Sequence, residues 1–193
     1  MLIGVLALQG NFAKHEQMLK SMGLAVRQVR KPADLEGCDG LIIPGGESTV
    51  MLRQMNFIEL KRPLLEFAKN KPVFGTCAGL ILMSNHIEGS EMMPLGLLDV
   101  TVERNAYGRQ IESFESSILL NLNKDHEKVV PAFFIRAPRI RSNGKDVSIL
   151  GLLEEEPVLV QQGFHLGATF HPELTGECTI HEYFIQLVQQ RKL

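Results

Sequence analysis

A chain of 193 residues, 45% hydrophobic and 22% charged, is long enough to bury a substantial core and has the proportions of a globular protein. Its formal net charge of −2 offers no basic face for nucleic acid, and no apolar run approaches a membrane span. The three cysteines, Cys38, Cys77 and Cys178, form no CxxC pair and no metal-ligand spacing, which argues against a disulfide framework, a zinc centre or any other metal.

The apolar N-terminus lacks a basic start and soon turns polar, so it reads as a buried strand rather than a signal peptide. The expectation is a cytoplasmic protein with one domain over residues 1–193. The spacing predicts a strand over 2–8 and a helix over 12–22, the latter with Phe12, Met18, Leu19 and Met22 inward. Strands follow at 25–29 and 41–43, the second stopped by Pro44-Gly45-Gly46. Helices over 49–55 and 59–69 precede a fourth strand at Val73-Phe74, which feeds a further helix. Strand and helix in alternation imply a parallel sheet covered on both faces. From Leu97 the texture changes to period-two alternation at 98–103, in parts of 111–120 and at 157–162, which predicts antiparallel strands. Ala168-Thr169-Phe170 is again core-like, and 178–190 reads as a closing helix with Ile180, Phe184, Leu187 and Val188 inward. Residues 121–128 and 142–146 read as surface loops. The fold expected is α/β, a three-layer sandwich with a mixed, largely parallel central sheet.

Gly75-Thr76-Cys77-Ala78-Gly79 is the most informative stretch. A lone cysteine beside a glycine-rich turn is usually a buried structural thiol. Here it stands between two small-residue pairs where a strand passes into a helix, the layout of a nucleophile elbow. Helix N-terminal amides there favour thiolate over thiol. Sites in open parallel sheets lie beyond the carboxyl ends of the strands, and two other polar clusters occupy such ends. These are Pro44-Gly45-Gly46-Glu47-Ser48 and His171-Pro172-Glu173. Cys77 as nucleophile, His171 as base and Glu173 as its orienting group supply the three roles that thiol chemistry needs. The backbone amides of Gly46 and Ala78 are candidate donors to an oxyanion. By itself each cluster is also an ordinary turn; together they point to acyl transfer.

These residues resemble the class I, triad-type glutamine amidotransferases, which also share a flavodoxin-like arrangement. More narrowly, the chain is similar to the glutaminase subunits of two-component pyridoxal 5′-phosphate synthases. The resemblance rests on Gly4-Val5-Leu6-Ala7-Leu8-Gln9-Gly10, Pro44-Gly45-Gly46-Glu47-Ser48-Thr49, the elbow, Val102-Glu103-Arg104-Asn105-Ala106-Tyr107-Gly108-Arg109-Gln110, Phe134-Ile135-Arg136-Ala137-Pro138 and Phe170-His171-Pro172-Glu173-Leu174-Thr175. It implies hydrolysis of L-glutamine to glutamate and ammonia for vitamin B6 biosynthesis, with no cofactor. It also implies substrate binding by Gly46, Glu47, Ser48, Arg104, Ile135 and Arg136. The implied partner is a (β/α)8 synthase subunit on a dodecameric core that takes up the ammonia, with the edge near Gln9-Gly10-Asn11 facing it. Two alternatives keep the same fold: a glutaminase serving another acceptor, and a non-catalytic docking module.

Two other features carry a plainer expectation. His165 has no third ligand for a metal, and Glu154, Glu155 and Glu156 read as a solvated turn.

Overall fold

The computed structural model describes residues 1–104, 106, 113–123 and 126–191. In chain order the first half runs β1 (Leu2–Leu6), α1 (Phe12–Ser21), β2 (Ala25–Val29), β3 (Gly40–Ile43), α2 (Ser48–Phe57), α3 (Lys61–Ala68), β4 (Val73–Thr76) and α4 (Ala78–Met83). The second half runs β5 (His86–Ile87), β6 (Val100–Glu103), β7 (Ser113–Asn123), β8 (His126–Ile135), β9 (Arg139–Asn143), β10 (Ser148–Leu153), β11 (Glu156–Gln162), β12 (His165–Ala168) and α5 (Thr179–Gln190).

The main sheet has the order β2-β1-β3-β4-β12-β11-β10-β7-β8. Its first five strands are mutually parallel, and from β12 onward every neighbour is antiparallel. A small second sheet joins β5, β6 and β9. Period-two alternation sorts the strands between two cores. Leu41 and Ile43 face one side with side chains from α2, α3 and α4, whereas Ile42 and Phe74 face the other with α1 and α5. The result is the expected mixed α/β sandwich in three layers. Among the described residues no helix is long and apolar enough to cross a membrane.

Both predicted surface loops are corrected. Over 121–128, β7 continues to Asn123 and β8 resumes at His126, so that stretch is mainly hairpin, with Lys124 and Asp125 outside the described residues. β8 is an edge strand whose Glu127, Lys128 and Val129 are exposed, and the polar residues at its start hide the alternation that marks a half-buried strand. Likewise Ser142 and Asn143 close β9, paired with β6, and only the residues after them turn. Glu154 and Glu155 do form a turn, between β10 and β11, but Glu156 opens β11 and pairs with Arg139 at 3.2 Å. His165 begins β12, at the far end from His171, and accepts the Val73 amide at 3.2 Å through Nδ1.

Candidate active site

The carboxyl ends of β3, β4 and β12 lie side by side. Cys77 alone makes the turn from β4 to α4, with φ 50° and ψ −105°. A non-glycine residue holds such a conformation only where its surroundings over-determine it. Here the Cys77 amide donates to the Ala168 carbonyl at 2.8 Å, tying the turn to the end of β12. Space is equally constrained. A β-carbon on Gly79 would sit 2.0 Å from the Ile43 carbonyl oxygen, and one on Gly75 would sit 2.6 Å from the Gly79 carbonyl carbon. Glycine at both places lets α4 close onto the sheet edge, which explains the spacing around the cysteine.

His171 leaves β12 and enters a 3-10 turn, Pro172–Leu174. Its backbone amide donates to the Phe133 carbonyl on β8 at 2.8 Å. Its ring Nδ1–H donates to Glu173 Oε1 at 2.7 Å, both side chains being buried. That tautomer leaves Nε2 for Cys77, and the two side chains interact. Burial opposes a charge on His171, but its hydrogen bonds to Cys77 and Glu173 and its electrostatic interactions with both push its pKa up to about 10. Burial likewise opposes ionisation of Glu173, yet His15 and the hydrogen bond from His171 hold its carboxyl below the ordinary value. On its other side the Cε1 edge of His171 closes on the backbone: a β-carbon on Gly45 would lie 2.4 Å from Cε1.

A cavity of about 390 Å³ opens above Cys77. Of the residues expected from sequence, Gly46, Glu47, Ser48, Cys77, Ala78, Arg104, Ile135, Arg136 and His171 line it, and Glu173 lies behind His171. Glu47 also works locally: its carboxylate caps α2, accepting the Thr49 and Val50 amides at 3.1 and 2.7 Å. Despite some burial, those two bonds and the nearby Arg104 hold its pKa down. Arg104 Nη1 donates to the Thr49 hydroxyl at 3.1 Å, so its guanidinium is anchored beside the cavity. Ile135, at the end of β8, offers its carbonyl to Cys77 Sγ at 3.6 Å. Arg136 follows at φ 44°, a second non-glycine residue at positive φ on the cavity wall. Asn105 and residues 107–110 of the motif around Arg104 lie outside the described residues.

Three residues near the triad escaped sequence reasoning. His15, His181 and Thr76 are fully buried and reach one another or Glu173. A signal existed: His15 stands one turn before Leu19 and His181 one turn before Phe184 and Ile185, so both belong to buried helix faces. Gly10 and Asn11, read as a turn or partner-facing edge, also line the cavity. Among the described residues no cluster of His, Cys, Asp or Glu is arranged to hold a metal ion.

A profile of the SNO glutamine amidotransferase family matches residues 5–190. A pyridoxal 5′-phosphate synthase subunit PdxT from Desulforamulus reducens is 50% identical over 190 residues, covering 98% of this chain and 100% of that protein. The protein of the same name from Thermosipho africanus is 47% identical over 191 residues, with the same coverage. A crystal structure described as a glutamine amidotransferase superposes with a TM-score of 0.90 at 41% identity, covering 97% of this chain and 98% of that one. A putative GMP synthase component from Thermoplasma acidophilum, at 15% identity and a TM-score of 0.72 over 100% of this chain and 96% of that one, shares the fold.

Proposed function

The chain belongs to the SNO glutamine amidotransferase family as a glutaminase subunit of pyridoxal 5′-phosphate synthase, and from that premise we propose that Cys77, His171 and Glu173 are its hydrolytic triad. The substrate is L-glutamine. Cys77 sulfur adds to the side-chain amide carbon, and the developing oxyanion is met by the amides of Gly46 and Ala78. His171 takes the thiol proton of Cys77 as the sulfur adds and delivers it to the departing nitrogen, and ammonia leaves as the thioester forms. His171 then takes a proton from water, whose oxygen attacks the thioester, and returns it to the departing Cys77 sulfur; glutamate and the free thiol are released. Glu173 holds the ring throughout.

The free amino acid presents a carboxylate and an ammonium. Arg104 and Arg136 line the cavity and suit the carboxylate, while Glu47 and the Ile135 carbonyl suit the ammonium. Ammonia is mostly protonated at neutral pH and useless to an acceptor once it escapes. It therefore passes to a (β/α)8 synthase subunit, carried on a dodecameric core, and docking reorients the Gly45-Gly46 peptide into its active form.

One observation supports this reading above the rest: a cysteine in a strained elbow shares one cavity with an imidazole that a buried carboxylate holds at 2.7 Å. Glutamine hydrolysis is measured with and without the synthase subunit, for the wild type and Cys77→Ala. The wild type alone is slow and gains activity on docking, whereas Cys77→Ala is inactive in both. Full activity without a partner removes the gating, and an active Cys77→Ala removes the triad.

A further inference from the structure

Behind the triad, on the side away from the cavity, α1 and α5 contribute a pair of histidines that the hydrolytic scheme does not use. His15 and His181 are fully buried, and the Nδ1 of His15 lies 2.9 Å from the Nε2 of His181. The other His15 nitrogen, Nε2, lies 3.2 Å from the Thr76 hydroxyl and 3.3 Å from Glu173 Oε2. The titratable groups around His15 are thus Glu173, His181 and, through Glu173, His171; Thr76 on β4 is its neutral neighbour.

Two buried atoms of this cluster, His181 Nδ1 and Glu173 Oε2, have no hydrogen-bond partner among the described residues, and the first of them fixes the protons. An N–H stranded at His181 Nδ1 costs more than a bare lone pair, so the His181 proton sits on Nε2 and is donated to His15 Nδ1. His15 then carries its proton on Nε2 and donates it to the Thr76 hydroxyl, with Glu173 Oε2 lying 3.3 Å from the same nitrogen. Both rings are neutral: burial holds His15 below its ordinary value and His181 at about 3. The donors run from His181 to His15 to Thr76, with Glu173 Oε2 in close polar contact beside the His15 Nε2–H, while Glu173 Oε1 takes the Nδ1–H of His171. Apolar side chains would fill this space between α1, α5 and β4 at less cost than two buried imidazoles. The charged group that they contact is the Glu173 carboxylate, 3.3 Å from His15 Nε2.

We propose that His15 is a positioning residue for Glu173: its ring, fixed by the bond from His181 and by its own bond to Thr76, sets its Nε2 edge 3.3 Å from Oε2. This polar contact keeps Oε1 facing His171 Nδ1 and His171 Nε2 turned to Cys77. The inference rests on the reading of Cys77, His171 and Glu173 as the glutaminase triad.

The test is the complex of this chain with its synthase subunit, assayed for glutamine hydrolysis. His15→Leu lowers kcat by about 10- to 100-fold, the usual range for groups that orient a working ligand, and leaves KM within about twofold. His15→Gln, which keeps an N–H near the same place, recovers most of that loss. On a Glu173→Gln background, whose residual rate is the baseline, His15→Leu costs less than about twofold, because the group through which it acts is already altered. His181→Leu, which only frees the His15 tautomer, costs about threefold to tenfold on the wild-type background by the same outer-shell reasoning. Thermal unfolding establishes which variants fold, and if His15→Leu does not, His15→Ala takes its place in the cycle beside His181→Leu. Equal losses on both backgrounds, a loss in KM alone, or no loss in a folded variant overturns the inference. Cys77→Ala runs alongside: wild-type rates in that variant break the triad reading itself, whereas an inactive Cys77→Ala with a fully active His15→Leu breaks only the role of His15.

Discussion

A β-carbon on Gly10 would lie 1.7 Å from the carbonyl oxygen of Gly45, so the turn after β1 and the turn after β3 touch through backbone alone. Gly10 also sits at φ 80°, where a side chain adds strain. Gly10→Ala can be accommodated only by moving one turn, and the Gly45-Gly46 peptide is the part with function to lose. Misplacing an oxyanion donor by about an ångström costs about 100-fold in rate, so synthase-stimulated kcat falls by that order while Cys77 remains reactive toward a small alkylating agent. Wild-type kcat in a folded Gly10→Ala protein would take Gly46 out of the oxyanion role.

Arg104 separates binding from chemistry. Its guanidinium lines the cavity and is steadied by the Thr49 hydroxyl, at some distance in function from the Cys77–His171 pair. Losing a charge-assisted contact costs about 1.5–3 kcal/mol, or roughly 10- to 100-fold in affinity. Arg104→Gln therefore raises the KM for glutamine by that factor and changes kcat little. Steady-state kinetics on the assembled complex read the split; an unchanged KM assigns the carboxylate to another residue.

Stability should peak near pH 6.5 and fall on both sides. His171 has its pKa raised from 6.5 to about 10, so its contribution is complete below pH 6.5 and disappears as pH rises through 10. His181 is shifted the other way, from 6.5 to about 3, so its contribution is complete above pH 6.5 and is lost as pH falls through 3. His15 is lowered too and adds to the acid side, as does Glu173 once pH drops below its ordinary 4.5. Urea midpoints measured from pH 4 to pH 10 trace this dome. His181→Leu flattens the acid limb and His171→Asn the alkaline one; a profile unchanged by both substitutions contradicts the placement of these charges.

How much of this was legible from sequence follows from which residues carry local signals. The parallel half was readable because its strands are short apolar runs closed by glycine or proline, as Leu41-Ile42-Ile43 is by Pro44. Cys77, His171 and Glu173 were readable because their turns interrupt such runs. The β7–β8 hairpin was not, since an edge strand with exposed Glu127, Lys128 and Val129 lacks the alternation that marks a buried one. His15 and His181 were missed for another reason: each is a single polar residue on an apolar helix face, and its use depends on a partner 166 positions away in the chain. The dual duty of Glu47, as helix cap and cavity wall, depends equally on three-dimensional neighbours.

Gly79→Ala tests the elbow as a mechanical unit. The added methyl would lie 2.0 Å from the Ile43 carbonyl oxygen, a backbone atom at the end of a central strand that cannot rotate aside. α4 must then lift from the sheet, and its first turn carries Ala78 and the strained Cys77 with it. Overpacking at such a site costs about 1–3 kcal/mol, readable as a lower urea midpoint with an unchanged slope. Because the displacement passes directly to Cys77, labelling by a glutamine-analogue alkylator in the presence of the synthase should fall further than labelling by a small thiol reagent. Equal loss with both reagents would mean that the sulfur is simply buried, and that α4 does not set its aim.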